Sequence, residues 1–236
     1  MNYLQMCNEV LVRMREREID SVNNPDNDPQ QKLVTKFVQD AATLVERSHT
    51  WNSSRKLWVI DLAHDVYKYM LRGCAEQSSI SFVKYDGGGI LHEVSAGWMS
   101  SRGRKQGTPG WYAPSHVNGH SVEMHVWPRP DNTFHGTGDI FEYTVGEYGE
   151  ASFASPDKQL FVYGYGKAQP LKENLDAIKL PNDPVMHYAL AFAQRERGEA
   201  GGQNSQETFA LAKQYLSDAI SWDVNNSRRE YEWVTT

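Results

Sequence analysis

Cysteine is almost missing from this chain: Cys7 and Cys74 are the only two in 236 residues, and no C-x-x-C spacing joins them. That excludes a disulfide framework and a cysteine-built zinc site, and leaves both thiols to be read as small buried hydrophobes. Long apolar runs are missing too. No stretch approaches the roughly 18 residues that span a bilayer. The opening residues 1–6 lack the basic and apolar regions of a signal peptide, so a protein made and used in a cytoplasm is expected. Positive charge is in deficit, with 24 Lys and Arg against 30 Asp and Glu and a net charge of −6. A protein that grips DNA through its phosphates draws affinity from cations that displace counterions, and this composition is not built for that.

Signatures of catalysis are also lacking. No G-x-S-x-G elbow marks a nucleophile. Gly103-Arg104-Lys105-Gln106-Gly107 is neither a phosphate loop nor a dinucleotide fingerprint, and reads as a mobile basic loop. Five histidines, His92, His116, His120, His125 and His135, fall among expected strands. His116, His120 and His125 match no zinc spacing, and strand alternation would scatter their side chains. Glu147 and Glu150 beside Tyr143 and Tyr148 form a carboxylate pair, but nothing fixes the separation that glycoside chemistry needs. The expectation is no catalytic residue, no cofactor and no metal: not an enzyme.

What the chain does contain is periodicity and aromatics. Tyr3, Cys7, Val10 and Met14 predict an amphipathic helix over 3–18. Asp28-Pro29 supplies a cap and a first-turn proline for a second helix to about 49, with Leu33, Phe37, Ala41 and Leu44 as its apolar stripe and Val34, Val38 and Val45 widening it. Short β-rich segments follow at 56–62, 66–71, 79–85, 90–94, 121–127, 140–145 and 160–165, with a turn at Asp86-Gly87-Gly88-Gly89. Residues 97–121 read as loop, and the Gly and Pro punctuation predicts antiparallel meanders. Asp183-Pro184 repeats the cap signal, Gly201-Gly202 breaks the helix it opens, and a last helix runs to about Asp223.

The fold class expected is α+β: a helical bundle from N- and C-terminal helical hairpins, with an inserted antiparallel β-strand domain. Residues 1–56 would form the first hairpin, 57–170 the antiparallel β region, 171–223 the second hairpin, and 224–236 an extended tail. Trp98, Trp111, Tyr112 and Trp127 lie in or beside loop-like segments, and Trp222, Tyr231 and Trp233 near the end. Aromatics beyond what one core encloses mark contact surfaces, because Trp and Tyr bring large area at low entropic cost; the central group has a second reading, as filler of the junction between the strands and the helical bundle.

Several ordered motifs carry a family resemblance. The helix opening Tyr3-Leu4-Gln5-Met6-Cys7-Asn8-Glu9 is followed by a helix ending Glu46-Arg47-Ser48-His49-Thr50-Trp51, then Leu57-Trp58-Val59-Ile60-Asp61-Leu62. Met124-His125-Val126-Trp127-Pro128-Arg129-Pro130-Asp131 gives a Pro-x-Pro-Asp strand end. Gln169-Pro170-Leu171, Leu180-Pro181-Asn182-Asp183 and the segment from Val185 to Glu199 complete the series. In this order they resemble the head-to-tail adaptors of tailed bacteriophages, the head-completion or tail tubular protein A-like family. The stretch around 139–157 is longer than that pattern requires and reads as an inserted hairpin or loop.

The resemblance implies a virion protein at the head–tail interface, assembled in the host cytoplasm as a homo-oligomeric ring of roughly twelve copies beneath a portal protein. It implies portal contact through the C-terminal tail (Trp222, Tyr231, Trp233) and contact with a downstream tail or nozzle protein through Trp98, Trp111 and Tyr112. DNA would pass through the channel without sequence-specific binding, and no membrane is involved. Two other readings compete. A carbohydrate- or receptor-binding tail module would explain tryptophans near loops, and a hydrolase would use the Glu and His inventory.

Overall fold

The computed structural model describes residues 1–73, 80–85, 89–117, 121–144, 159–166, 170–197 and 203–232. The elements along these residues are α1 (Tyr3–Arg13), α2 (Pro29–Ser48), β1 (Arg55–Asp61), β2 (Lys68–Arg72), β3 (Ile80–Tyr85), β4 (His92–Glu93), α3 (Ala96–Ser101), β5 (Trp111–Val117), β6 (Ser121–Trp127), β7 (Ile140–Thr144), β8 (Gln159–Tyr165), α4 (Asn182–Glu196) and α5 (Gln203–Glu232). They divide into two units. Met1–Ser53 joins Ala168–Thr236 in the first, and Ser54–Lys167 forms the second. None of the described helices is long and apolar enough to cross a membrane.

In the first unit, local side-chain chemistry starts the helices. Asn2 accepts from the Gln5 amide at 2.8 Å while the Gln5 side chain accepts from the Asn2 amide at 3.1 Å, a reciprocal capping box. Asp28 and Gln31 repeat it at 2.8 and 3.0 Å, with Pro29 in the first turn. α1 ends earlier than its apolar period predicts. Arg15 takes φ 59°, and the Asn8 side chain then clasps both the amide (2.9 Å) and the carbonyl (3.0 Å) of Ile19. An amide side chain thus holds a loop that polar composition alone marks as open.

The buried face of α2 is Val34, Val38, Ala41 and Val45. Leu33 and Leu44, placed in the stripe by sequence, stay exposed at 41% and 38%. α4 is the reason. It is the central helix of this unit, buried along Val185, Met186, Tyr188, Ala189 and Leu190, and it packs against α1, α2 and α5. The smaller valine row lets two helices approach closely. α4 begins at Asn182, so Asp183 sits in its first turn, where a carboxylate favours the helix dipole, and does not cap it. Burial pushes the Cys7 thiol up to about 12 in the same core, so it is packing material and not a nucleophile.

The second unit holds two four-stranded sheets, ordered β3-β8-β1-β7 and β2-β6-β5-β4. The first is antiparallel throughout, with Trp58 opposite Val162 on one side and Glu142 on the other. The second contains a parallel pair, β4 with β5. One core serves both sheets: Trp58, Ile60 and Leu160 meet Leu71, Val122, Met124 and Val126. Alternate β1 residues Leu57 and Val59 cluster with Phe161 on the opposite face. Residues 89–94 pass from one sheet to the other. Leu91 donates to the Val83 carbonyl at 2.8 Å, and His92 donates to Gly110 at 3.0 Å.

This overturns the expected architecture of a helical bundle from two terminal hairpins with an inserted antiparallel domain. Among the described residues the fold is α+β with five α-helices and two four-stranded sheets, one of them mixed. α1 packs on α2, but α2 packs chiefly on α4, which also meets α1 and α5. Nor is 97–121 loop: it holds α3 and β5, since strand pairing to β6 overrides the Gly and Pro signals. Most of the supposed extended tail is helix, because α5 continues to Glu232. Cys74, Asp86 to Gly88, Gly201-Gly202 and most of the 139–157 stretch lie outside the described residues.

Candidate functional site

Strand alternation sorts the aromatics of the second unit. On β5, Trp111 stands opposite Trp127 of β6 and both are half-buried, while Tyr112 points the other way, 3% exposed. Ser95 accepts from the Trp98 amide at 3.1 Å and so starts α3 in a position that delivers Trp98 to the same place. The three indoles form a triangle with ring centres 5.2 Å (Trp111–Trp127), 5.6 Å (Trp98–Trp127) and 5.8 Å (Trp98–Trp111) apart. Edge-on and tilted geometries of this kind stabilise beyond area alone.

Tyr112 is therefore corrected from contact residue to core residue. Its hydroxyl donates to Glu93 at 3.2 Å. Burial, then the Glu93 carboxylate, pushes its pKa far above the ordinary tyrosine value. Residues Trp111 and Tyr112 are adjacent, and a period of two sends neighbours to opposite faces. Sequence reading missed this because the segment was expected to be a loop.

Cations stand over the triangle. The Arg102 guanidinium carbon lies 4.6 Å from the centre of the Trp98 ring, and Lys105 Nζ lies 5.9 Å from that of Trp127. The loop carrying them is held down along its length. Trp127 Nε1 donates to the Gly103 carbonyl at 3.2 Å. Arg129 donates to Lys105 at 2.9 Å, Gly107 donates to Arg129 at 2.9 Å, and Gly110 donates to Trp127 at 3.0 Å. A loop expected to be mobile is pinned to the end of β6. Arg102 lies over one face of Trp98, where a stacking base or sugar would have to displace it.

Beyond this platform, Arg129 covers Tyr67 at 3.8 Å and pairs with Asp65 at 3.2 Å. His125 and Lys68 both engage Glu123, and those hydrogen bonds hold its carboxyl below the usual range. His125 is thus part of a surface ion cluster. Among the described residues no three His, Cys, Asp or Glu side chains gather as metal ligands. The side chain of His116, all of His120, and Glu147 and Glu150 fall outside the described residues.

In the first unit the informative residue is Trp222. It sits on α5 at 70% exposure and lines an open groove of about 580 Å³ together with Trp51, Leu180, Pro184, Tyr215 and Ala219. Asp183, Asp218 and Asp223 also line it, against one cation, Lys179. The next residue, Asp223, turns inward. It accepts from the Asn52 amide at 3.2 Å, meets His49 Nε2 at 3.1 Å, and receives the Asn52 side chain on its carbonyl at 2.9 Å. Those bonds fix the rotation of α5 about its axis and so aim Trp222 outward. The side chain of Tyr231 and all of Trp233 lie outside the described residues.

Tyr215 also stacks on His187, with ring centres 4.7 Å apart. His187 is 8% exposed, and its Nδ1 has no hydrogen-bond partner among the described residues. Burial, then Arg13, pushes its pKa below the ordinary 6.5, with Asp183 opposing. Above 6.5 both folded and unfolded chains carry it neutral, and it contributes nothing. Below 6.5 the unfolded chain binds a proton that the folded chain resists, so stability should fall as pH drops from 6.5 toward 5. Thermal melts of wild type and His187→Phe across that range should diverge, the variant losing less. Parallel curves would remove His187 as the cause.

Comparison with known protein families finds no family that matches this chain, and comparison with curated proteins finds no relative.

Proposed function

We propose that the chain is a structural subunit of a tailed-bacteriophage particle: a head-to-tail adaptor that forms a ring of roughly twelve copies between portal and tail. It performs no chemistry, and DNA moves through the ring during packaging and ejection. The observation that carries this reading is Trp222, a tryptophan left 70% exposed beside a 580 Å³ groove on the last helix. So large an apolar side chain standing in water marks a surface that a partner covers. The order of sequence motifs names the partner class. Two further features support the reading. The charge of −6 suits a channel along which DNA slides without sticking. The indole triangle of the second unit supplies a separate contact surface for the tail side.

Light scattering on the purified chain, alone and mixed with its portal protein, tests the proposal. The expected result is a large assembly with portal that is lost in Trp222→Ala and in a chain ending after Asp223, while Trp222→Ala keeps the wild-type circular dichroism spectrum and the shortened chain loses only the helical signal of the residues removed from α5. Portal binding that survives both changes would refute the assignment of this end of the molecule. A chain that stays monomeric under every condition would refute the adaptor.

A further inference from the structure

Residues 94–122 contain Arg102, Arg104 and Lys105 and not one Asp or Glu, in a chain whose net charge is −6. All three cations are exposed. Among the described residues none of them pairs with a carboxylate, whereas Arg13, Lys56, Lys68, Arg129 and Arg197 all do. Unneutralised like charges held together repel one another, and this loop is held together by the backbone bonds that pin it to β6. Cations without carboxylate partners, held at a half-buried aromatic base, suit an anion.

We infer that the Trp98–Trp111–Trp127 platform with Arg102, Arg104 and Lys105 captures an acidic polypeptide segment of a partner protein. Carboxylates would pair with the guanidinium and ammonium groups, and apolar side chains between them would lie on the exposed parts of the indoles. Two observations favour protein over single-stranded nucleic acid. Arg102 lies 4.6 Å over Trp98 and the three indoles pack against one another, so successive bases would have to displace side chains to stack there. Three cations on an acidic chain are also too few to track a phosphate backbone, where each contact adds to a long basic stripe. Acidic side chains on a flexible peptide need only local complementarity.

Because it gives the chemistry of the tail-side partner, the inference rests on the adaptor reading, yet the two fail separately. A chain that captures acidic peptide but forms no assembly with portal removes the adaptor alone. A chain that docks on portal but ignores the peptide removes this inference alone. The test is fluorescence anisotropy of the full chain with a labelled Glu/Ala peptide and with an oligothymidylate of matched charge, at low and high salt.

The expected result is salt-sensitive peptide binding that weakens about tenfold or more in Arg102→Gln/Arg104→Gln/Lys105→Gln. It should persist in Arg17→Gln/Lys36→Gln, which removes as many as two exposed cations from the first unit. All five positions are exposed, so the variants should fold as wild type does. The inference is overturned if the wild-type chain binds no peptide, if the triple variant binds as well as wild type, if the control variant loses as much, or if oligothymidylate binds as tightly as the peptide.

Discussion

Replacing Trp58 with alanine should cost the second unit about 3–5 kcal/mol, the range for deleting a fully enclosed large aromatic. Trp58 is 1% exposed and sits on β1 between β7 and β8, projecting into the core that both sheets share. Three losses combine. Apolar area returns to water on unfolding with less gain from folding. The cavity left between two hydrogen-bonded sheets cannot close, because each strand is tied to its neighbours on a fixed spacing. The Arg72 carbonyl, which accepts from Trp58 Nε1 at 3.2 Å, loses its partner. Since whole domains are stable by only about 5–15 kcal/mol, such a loss approaches the limit of what the unit tolerates. Urea titration followed by circular dichroism measures it, and Trp58→Phe should fall between wild type and alanine. A cost under about 1 kcal/mol for the alanine variant would mean that the sheets do not meet over this side chain.

Which parts of the molecule were legible in the sequence follows from how local their causes are. Asp28-Pro29 marked the start of α2 correctly because capping is decided by three or four neighbouring residues. The strand at 121–127 was legible because its alternation is strict, and Val122, Met124 and Val126 are indeed the inward set. The face of α2 was legible in part: Val34, Val38, Ala41 and Val45 are buried as the widened stripe expects, whereas Leu33 and Leu44 fit the same helical period and only packing on α4 leaves them exposed. β5 escaped detection because Pro114 and the flanking glycines look like loop, although the strand it pairs with, β6, follows directly at Ser121 and β4 supplies a parallel partner from upstream. The contact surface was half legible. Surplus tryptophans pointed to Trp98, Trp111 and Trp222, but only the strand register separates Trp111 from Tyr112. Arg104 and Lys105 were visible as a basic loop and Arg102 was not, and the stretch without acidic residues around them was the signal that could have singled out all three.

The second large effect belongs to Asp223, and it separates structure from contact within two adjacent residues. Asp223→Ala should destabilise the first unit by about 2–3 kcal/mol, because bonds to a charged acceptor are lost and the half-buried Asn52 amide is left without one. The carboxylate is 9% exposed as a residue and gathers His49 and Asn52 at 3.1 and 3.2 Å, so water replaces it poorly. Asp223→Asn keeps one acceptor oxygen and should cost roughly half as much. Trp222→Ala, one residue earlier, should change stability by less than about 0.5 kcal/mol, as expected of a side chain that solvent already surrounds. Yet, on the proposed adaptor function, it should abolish docking on the portal. The helix makes this division possible: a turn of about 100° per residue sends neighbouring side chains to different faces, one into the turn after α2 and one outward over the groove. Urea midpoints for the three variants, read beside their portal binding, decide the matter. Should Trp222→Ala prove as destabilising as Asp223→Ala, Trp222 would be a core residue, and the groove beside it would lose its claim to a partner.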